Sequence, residues 1–140
     1  MTDLNGKRVA FLATDGFEDS ELTSPWEALT KAGAKATLIS PTSGSITGEH
    51  GHEASVDLST ENARSEDFDA LVLPGGVVNA DDLRIDEAAV AFVRETFEQH
   101  KPVGVICHGG WILTDAEVVR GRTMTSYRSL RTDLRNAGAR

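Results

Sequence analysis

The sequence predicts an α/β fold with a mostly parallel central sheet and helices on both faces. Two observations carry this. Four short runs, residues 8–13, 36–40, 70–73 and 103–106, are rich in Val, Ile, Leu and Ala and do not alternate apolar with polar residues. That is the pattern of parallel strands buried on both sides. Between them lie segments of helical spacing, so strands and helices take turns along the chain.

The elements follow in order. After the first strand, Ser24, Pro25, Trp26 and Glu27 read as a capping box with proline at the first helical position, and Gly33 closes that helix. A start near Glu18, with Pro25 as a kink, fits the same residues. The stretch "GSITGEHGHEASVDLS", residues 44–59, breaks the rhythm and reads as a hairpin turning near residues 48–51. Asp86 is placed to cap the next helix, "EAAVAFVRETFEQH", whose Ala89, Phe92, Val93 and Phe97 share one face. A third helix begins in residues 109–116, and a fourth covers residues 129–136, closed by Gly138.

The chain has 140 residues, 39% of them hydrophobic and 26% charged, which suits one domain with its own core. A net charge of −8 argues against nonspecific nucleic-acid or anionic-membrane binding, both of which want basic patches. The single cysteine excludes an internal disulfide and suits a reducing compartment. "MTDLNGKRVAFLATDG" has no charged-then-apolar signal pattern, and its apolar piece is too short to span a bilayer. The expectation is a cytoplasmic protein.

In open parallel sheets, ligands bind beyond the carboxyl ends of the strands. The residues just past those ends are "TDGFEDSE", "PGGVVNADD" and "CHGGW". In the last, Cys107 stands between a strand and a helix start, with His108 beside it and Gly109 and Gly110 after it. A nucleophile on a tight turn needs small neighbours. A helix start offers amides and a positive dipole end that favour thiolate over thiol. His108 is the candidate base. Cys107 is therefore expected to be more acidic than a free thiol. The loop after the first strand offers Asp15, Glu18, Asp19 and Glu21 as carboxylates able to face the sulfur, and spacing does not choose among them. Gly75 and Gly76 allow close approach of backbone amides to a ligand. His50 and His52 form a His-x-His pair with no third ligand nearby in sequence, so no metal site is expected there.

The stretches "FLATDGFEDSELTSPWEALTKAGA", "DALVLPGG", "KPVGVICHG" and "GRTMTSYRSLRTDLRNAG" together resemble the ThiJ/PfpI family of the class I glutamine amidotransferase-like superfold. The closest branch is the PfpI type, known as intracellular cysteine proteases or general stress proteins. The resemblance covers the chain from Lys7 on, in four motifs of matching order and spacing. It implies a flavodoxin-like sandwich, a single domain over residues 1–140, and a nucleophile elbow at Cys107. It also implies His108 as the histidine partner, Glu18 as the carboxyl bonded to the sulfur, and Gly75, Gly76 and Gly109 as oxyanion-site amides. An acidic residue from a neighbouring subunit, Asp81 or else Asp82, would complete a triad, so a homodimer or larger oligomer is implied. Small molecules or peptides are the implied substrates, without cofactor, metal, nucleic acid or membrane. Attributed activities include peptidase, glyoxalase or deglycase, chaperone and redox-sensing functions. A cysteine-dependent hydrolase is the favoured expectation.

Two departures from the family pattern stand out. Gly110 takes the place of a usual proline, which predicts a looser elbow. The family pattern continues with a C-terminal strand pair and helix, which a chain ending at Arg140 is expected to lack.

Overall fold

The computed structural model describes residues 3–140. Five parallel strands form the sheet: β1 (Arg8–Leu12), β2 (Lys35–Ser40), β5 (Leu58–Ser59), β6 (Ala70–Leu73) and β7 (Val103–Val105), in the order β5-β2-β1-β6-β7. With the two-residue edge strand β5 set aside, the long strands run second, first, third, fourth. This is the doubly wound, flavodoxin-like arrangement. Its switch point lies between β1 and β6.

Why the strands fail to alternate is visible in β1. Val9, Phe11 and Ala13 pack on one face with Leu22 and Trp26 of α1 (Asp19–Lys31). Ala10 and Leu12 pack on the other with Ala89, Phe92 and Val93 of α3 (Glu87–Glu98) and Ile112 and Leu113 of α4 (Trp111–Asp115). Leu134 of α5 (Arg131–Asn136) joins that second core. Both faces are therefore dry. Each fully buried large side chain, such as Phe11, contributes about 1.5–3 kcal/mol.

Of the two helix starts the sequence leaves open, the structure takes the earlier: α1 begins at Asp19, and Pro25 lies inside it. Proline removes one helical hydrogen bond there, but Trp26 packs on Phe11 with ring centroids 4.9 Å apart and holds the helix to the sheet. The hairpin is shorter than expected. It consists of β3 (Ser45–Thr47) and β4 (Glu53–Ser55), and its tail supplies β5, which pairs parallel with β2. Finally, "VVNADDL", which the sequence reading assigns to no element, forms a helix, α2 (Val77–Leu83). Other expectations hold: the Asp86 carboxylate caps α3 by accepting from the Ala89 amide at 2.9 Å.

One buried side chain ties the switch point together. Asn79, fully buried in α2, accepts from the Thr14 amide past β1 at 2.7 Å. Its Nδ2 donates to the Pro74 and Gly75 carbonyls past β6 at 3.2 and 3.0 Å. The two loops are close enough that a Cβ on Gly76 would run into the Gly16 carbonyl oxygen, and Gly76 adopts φ 95°. Replacing Asn79 by the similarly sized Leu leaves the Thr14 amide and two carbonyls without their partner. We expect a loss of about 1–3 kcal/mol of stability, read as a lower urea midpoint at an unchanged m-value. An unaltered midpoint would show that these bonds do not hold the rim.

Candidate active site

The loops past β1, β6 and β7 meet at the carboxyl rim of the sheet. Residues Cys107–Gly110 form a 3₁₀ turn between β7 and α4. Cys107 sits at φ 56°, in the left-handed region that few non-glycine residues occupy. The turn also lies tight on β6, because a Cβ on Gly109 would run into the Leu73 carbonyl oxygen. Gly109 is thus required by close approach. Gly110 is not: its φ is −73°, inside the range proline imposes, and a Cβ there would make ordinary contacts from 3.7 Å outward. The elbow keeps a proline-compatible backbone without the proline.

The Cys107 sulfur is 3.3 Å from His108 Nδ1. The imidazole is buried, with 8% exposure, and its Nε2 lies 3.3 Å from Ser129 Oγ. Tyr127 stacks on the ring at 4.4 Å, and Trp111 meets it edge-on at 5.8 Å. The Tyr127 amide donates to the Cys107 carbonyl at 3.2 Å, which fastens this loop over the turn. Adjacent side chains thus converge because the left-handed cysteine swings the backbone round.

The carboxylate that reaches the rim is Glu21, not Glu18. Glu21 Oε1 accepts from the Gly75 amide at 2.8 Å. A Cβ on Gly75 would run into that oxygen and stand 2.8 Å from the Cys107 Cβ, so carboxylate, loop and cysteine crowd one point. Glu18 precedes α1 and turns to the hairpin, where its Oε2 lies 3.3 Å from His50 Nε2. The sulfur has no hydrogen bond to Glu18. Since the helix begins at Asp19, Glu21 falls in its first turn, aimed at Gly75. Glu21 is one of the four carboxylates that spacing leaves open, and it is the family resemblance that points to Glu18.

Other expected site residues separate in the same way. Gly75 N–H is taken by Glu21, and Gly109 N–H donates to the Ile106 carbonyl at 2.8 Å, so neither amide is free for an oxyanion. Asp81 and Asp82 are exposed on α2; the contact expected of them is with the histidine of a neighbouring copy. The Glu49 amide donates to the Phe17 carbonyl at 2.8 Å, which brings the hairpin tip against the rim. Ligand-type atoms of Glu18, Glu49 and His50 lie within 4.8 Å of one another. His52 is not in this group; its ring meets Phe17 edge-on. A cavity of about 430 Å³ between α1 and the hairpin, lined by Leu22, Trp26, Leu38 and Ala54, does not reach Cys107.

The electrostatics reverse the expectation of an acidic thiol. Burial pushes the Cys107 thiol up, and the Glu21 carboxylate adds to it, with smaller contributions from Glu18 and Glu49; only the His108 amide opposes. The helix dipole that would oppose them is weak, because α4 has five residues and starts four positions later. Burial likewise raises Glu21, with its Gly75 bond opposing and Glu18 and Glu49 assisting. The Glu21 carboxylate thus disfavours a thiolate beside it. Burial lowers His108. The resting pair is a neutral thiol beside a neutral imidazole.

A model of the DJ-1/PfpI family matches residues 7–140. The chain belongs to the DJ-1/PfpI family. It is 44% identical over 131 residues to Deglycase PH1704 of Pyrococcus horikoshii, a match spanning 94% of this chain and 78% of that one. It is 42% identical over 134 residues to YraA of Bacillus subtilis, whose name assigns it provisionally as a cysteine protease, spanning 95% of this chain and 79% of that one. Among solved structures, a two-domain protein of Anabaena variabilis with DJ-1/ThiJ/PfpI-like and ferritin-like domains superposes with a TM-score of 0.92 at 33% identity. That match covers 95% of this chain and 38% of the two-domain chain. No helix among the described residues is long and apolar enough to cross a membrane.

Two outcomes follow from the site's charge. Glu21→Gln removes the negative charge nearest the thiol, which favours thiolate, so the pH midpoint of Cys107 alkylation by iodoacetamide should fall. A midpoint that stays or rises would show that Glu21 does not act on the sulfur as a charge. Charge-matched methanethiosulfonates should also discriminate. Relative to a small free thiol, Cys107 should react faster with a trimethylammonium reagent than with a sulfonate reagent. Glu49→Gln should reduce that ratio roughly two- to five-fold at low salt, and less at high salt. An unchanged ratio would place Glu49 out of electrostatic reach.

Proposed function

We propose that this chain is a cysteine-dependent hydrolase of the PfpI type that cleaves a carbon–nitrogen bond at an electrophilic carbon. The observation that carries the reading is the Cys107–His108 pair: a left-handed cysteine with its sulfur 3.3 Å from Nδ1 of a buried imidazole. In the acylation step, sulfur bonds to the carbon while Nδ1 takes the thiol proton. The carbon–nitrogen bond then breaks, and that proton passes to the departing nitrogen. In deacylation, water attacks the thioester, Nδ1 takes the water proton, and the sulfur leaves and recovers it. The sum is substrate plus water giving an acid and an amine. With Gly75 and Gly109 engaged, the Gly76 amide at the start of α2 is the donor assigned to the developing oxyanion. Glu21, raised by burial, accepts from the Gly75 amide beside the reacting sulfur.

The first bond exchange also serves the hemiaminal of a reactive carbonyl with an amine: sulfur bonds to its carbon as the protonated amine leaves, and the resulting hemithioacetal releases the carbonyl as the sulfur recovers its proton. Relatives named as a deglycase and, provisionally, as a cysteine protease support this common step. The carboxylates around the rim suit substrates with a positive group beside the reacting carbon. Self-association, as a homodimer or larger oligomer, belongs to the proposal. Val77, Val78 and Ile85 are 52, 57 and 79% exposed beside Asp81 and Asp82, an apolar surface with acidic groups where a second copy would seat.

The purified protein should be assayed on a fluorogenic basic peptide amide and on a methylglyoxal-modified peptide. Hydrolysis of either is expected, with Cys107→Ser lowering kcat/KM more than 100-fold, on the order of removing a nucleophile, and His108→Ala lowering it less. Activity that survives in Cys107→Ser, or none on both substrates, overturns the proposal.

A further inference from the structure

We propose that the turn of residues 127–131 receives helix α2 of a second copy of this chain, and that the two copies exchange these surfaces about a two-fold axis beside His108. The inference rests on the self-association proposed above and deepens it. The family resemblance implies an acid from a neighbouring copy; the surface that receives that copy is what it leaves unnamed.

Two surfaces of opposite character flank the Cys107–Gly110 turn. On one side, α2 packs against that turn and buries Asn79, Ala80 and Leu83. Its outward side is Val77, Val78, Asp81 and Asp82, with Ile85 just beyond, all exposed. That is an acidic pair set among apolar side chains. On the other side the chain turns basic. Residues 120–140 hold six arginines against one acid, Asp133, in a chain of net charge −8. Leu130 and Leu134 bury one face of the 3₁₀ turn Arg128–Leu130 and of α5. Arg128, Arg131 and Arg135, spaced three and four residues apart, are left on the exposed face beside Tyr127. The exposed large hydrophobic side chains among the described residues are Val77, Val78, Ile85 and Tyr127, and each belongs to one of these two surfaces.

Within the chain these charges do not meet: among the described residues, Arg128, Arg131, Asp81 and Asp82 form no ion pair. Between two copies they can. A two-fold contact sets each surface against the other copy's counterpart, so every residue pair is made twice. Both surfaces flank one turn and so lie on one side of the molecule, which suits a closed pair. A head-to-tail array would need them on opposite sides. Apolar groups at the centre, with Tyr and Arg among them, are what a specific protein interface favours. The position also bears on the chemistry. Tyr127 stacks on the His108 ring at 4.4 Å, and Ser129 Oγ lies 3.3 Å from its Nε2, so the receiving turn is itself a wall of the imidazole. A helix seated there brings the partner's Asp81 or the partner's Asp82 to the ring, while Arg128 and Arg131 hold the helix that carries it.

Sedimentation velocity of the purified chain reads this contact without any substrate. The wild type should sediment as a dimer or larger, and its association should weaken as salt rises. Arg128→Glu with Arg131→Glu sets acids against acids at both contacts, and Asp81→Arg with Asp82→Arg sets bases against bases. Each double variant should associate about ten-fold more weakly or worse. Circular dichroism should be unchanged, because all four side chains are exposed. Mixed in equal amounts, the two variants should recover the assembly, since a mixed pair has one native and one reversed contact, both of opposite charge. A monomeric wild type, double variants that assemble as the wild type does, or a mixture that stays dissociated would each overturn the assignment. None of these results bears on the nucleophile reading, which Cys107→Ser decides in the hydrolysis assays. Loss of that reading would in turn leave the assembly result standing.

Discussion

The site depends on one buried amide. Asn79 holds the ends of β1 and β6 together from inside α2, with one bond to Thr14 and two to the Pro74–Gly75 carbonyls. Those bonds draw the Gly16 and Gly76 backbones into contact, which only a residue without a side chain permits. They also place Gly75 where Glu21 reaches it. Because a buried amide left unpaired is costly, the arrangement is close to all-or-none. Either the loops meet in this register or several polar groups lose their partners together.

On that frame the cysteine is held in a conformation its neighbours must support. A left-handed non-glycine residue costs of order 1–3 kcal/mol, and it persists when its surroundings over-determine it. Here the Gly109 contact with Leu73 and the Tyr127 amide on the Cys107 carbonyl do so. The result is a sulfur beside the next residue's imidazole, a contact that an extended chain denies to adjacent side chains. Burial, with the Glu21 carboxylate adding to it, raises the thiol while burial lowers the imidazole, so a neutral pair rather than a preformed ion pair characterises the resting site. The chemistry begins from a neutral state, and the imidazole's orientation matters more than its charge.

The strands, the Asp86 cap and the importance of the three rim loops were legible because each rests on local patterns: apolar runs, a capping residue, glycines beside chemistry. Where local patterns left a choice or gave no signal, packing decided. Ser24 and Pro25 make a good helix start and so does the region of Glu18; packing of Leu22 and Trp26 on the sheet goes with the earlier start at Asp19. "VVNADDL" carries no strong local signal, and the buried Asn79 and Leu83 accompany its helix. The family resemblance pointed to Glu18, but it is Glu21, three residues on and facing another way, that meets Gly75.

By itself the sequence determined the layered α/β architecture, from periodicity, and the family, from four motifs in matching order, and it put forward Cys107 and His108 as a candidate pair because they are neighbours in the chain. Only the tertiary structure decided which carboxylate faces the sulfur, which amides remain free, and that Ser129 meets the far side of the imidazole. Those contacts join residues distant along the chain through loops whose register is set by packing and buried hydrogen bonds. No local pattern encodes the distance between Glu21 and Gly75, or between Ser129 and His108, because each is a property of two elements docked on a common sheet.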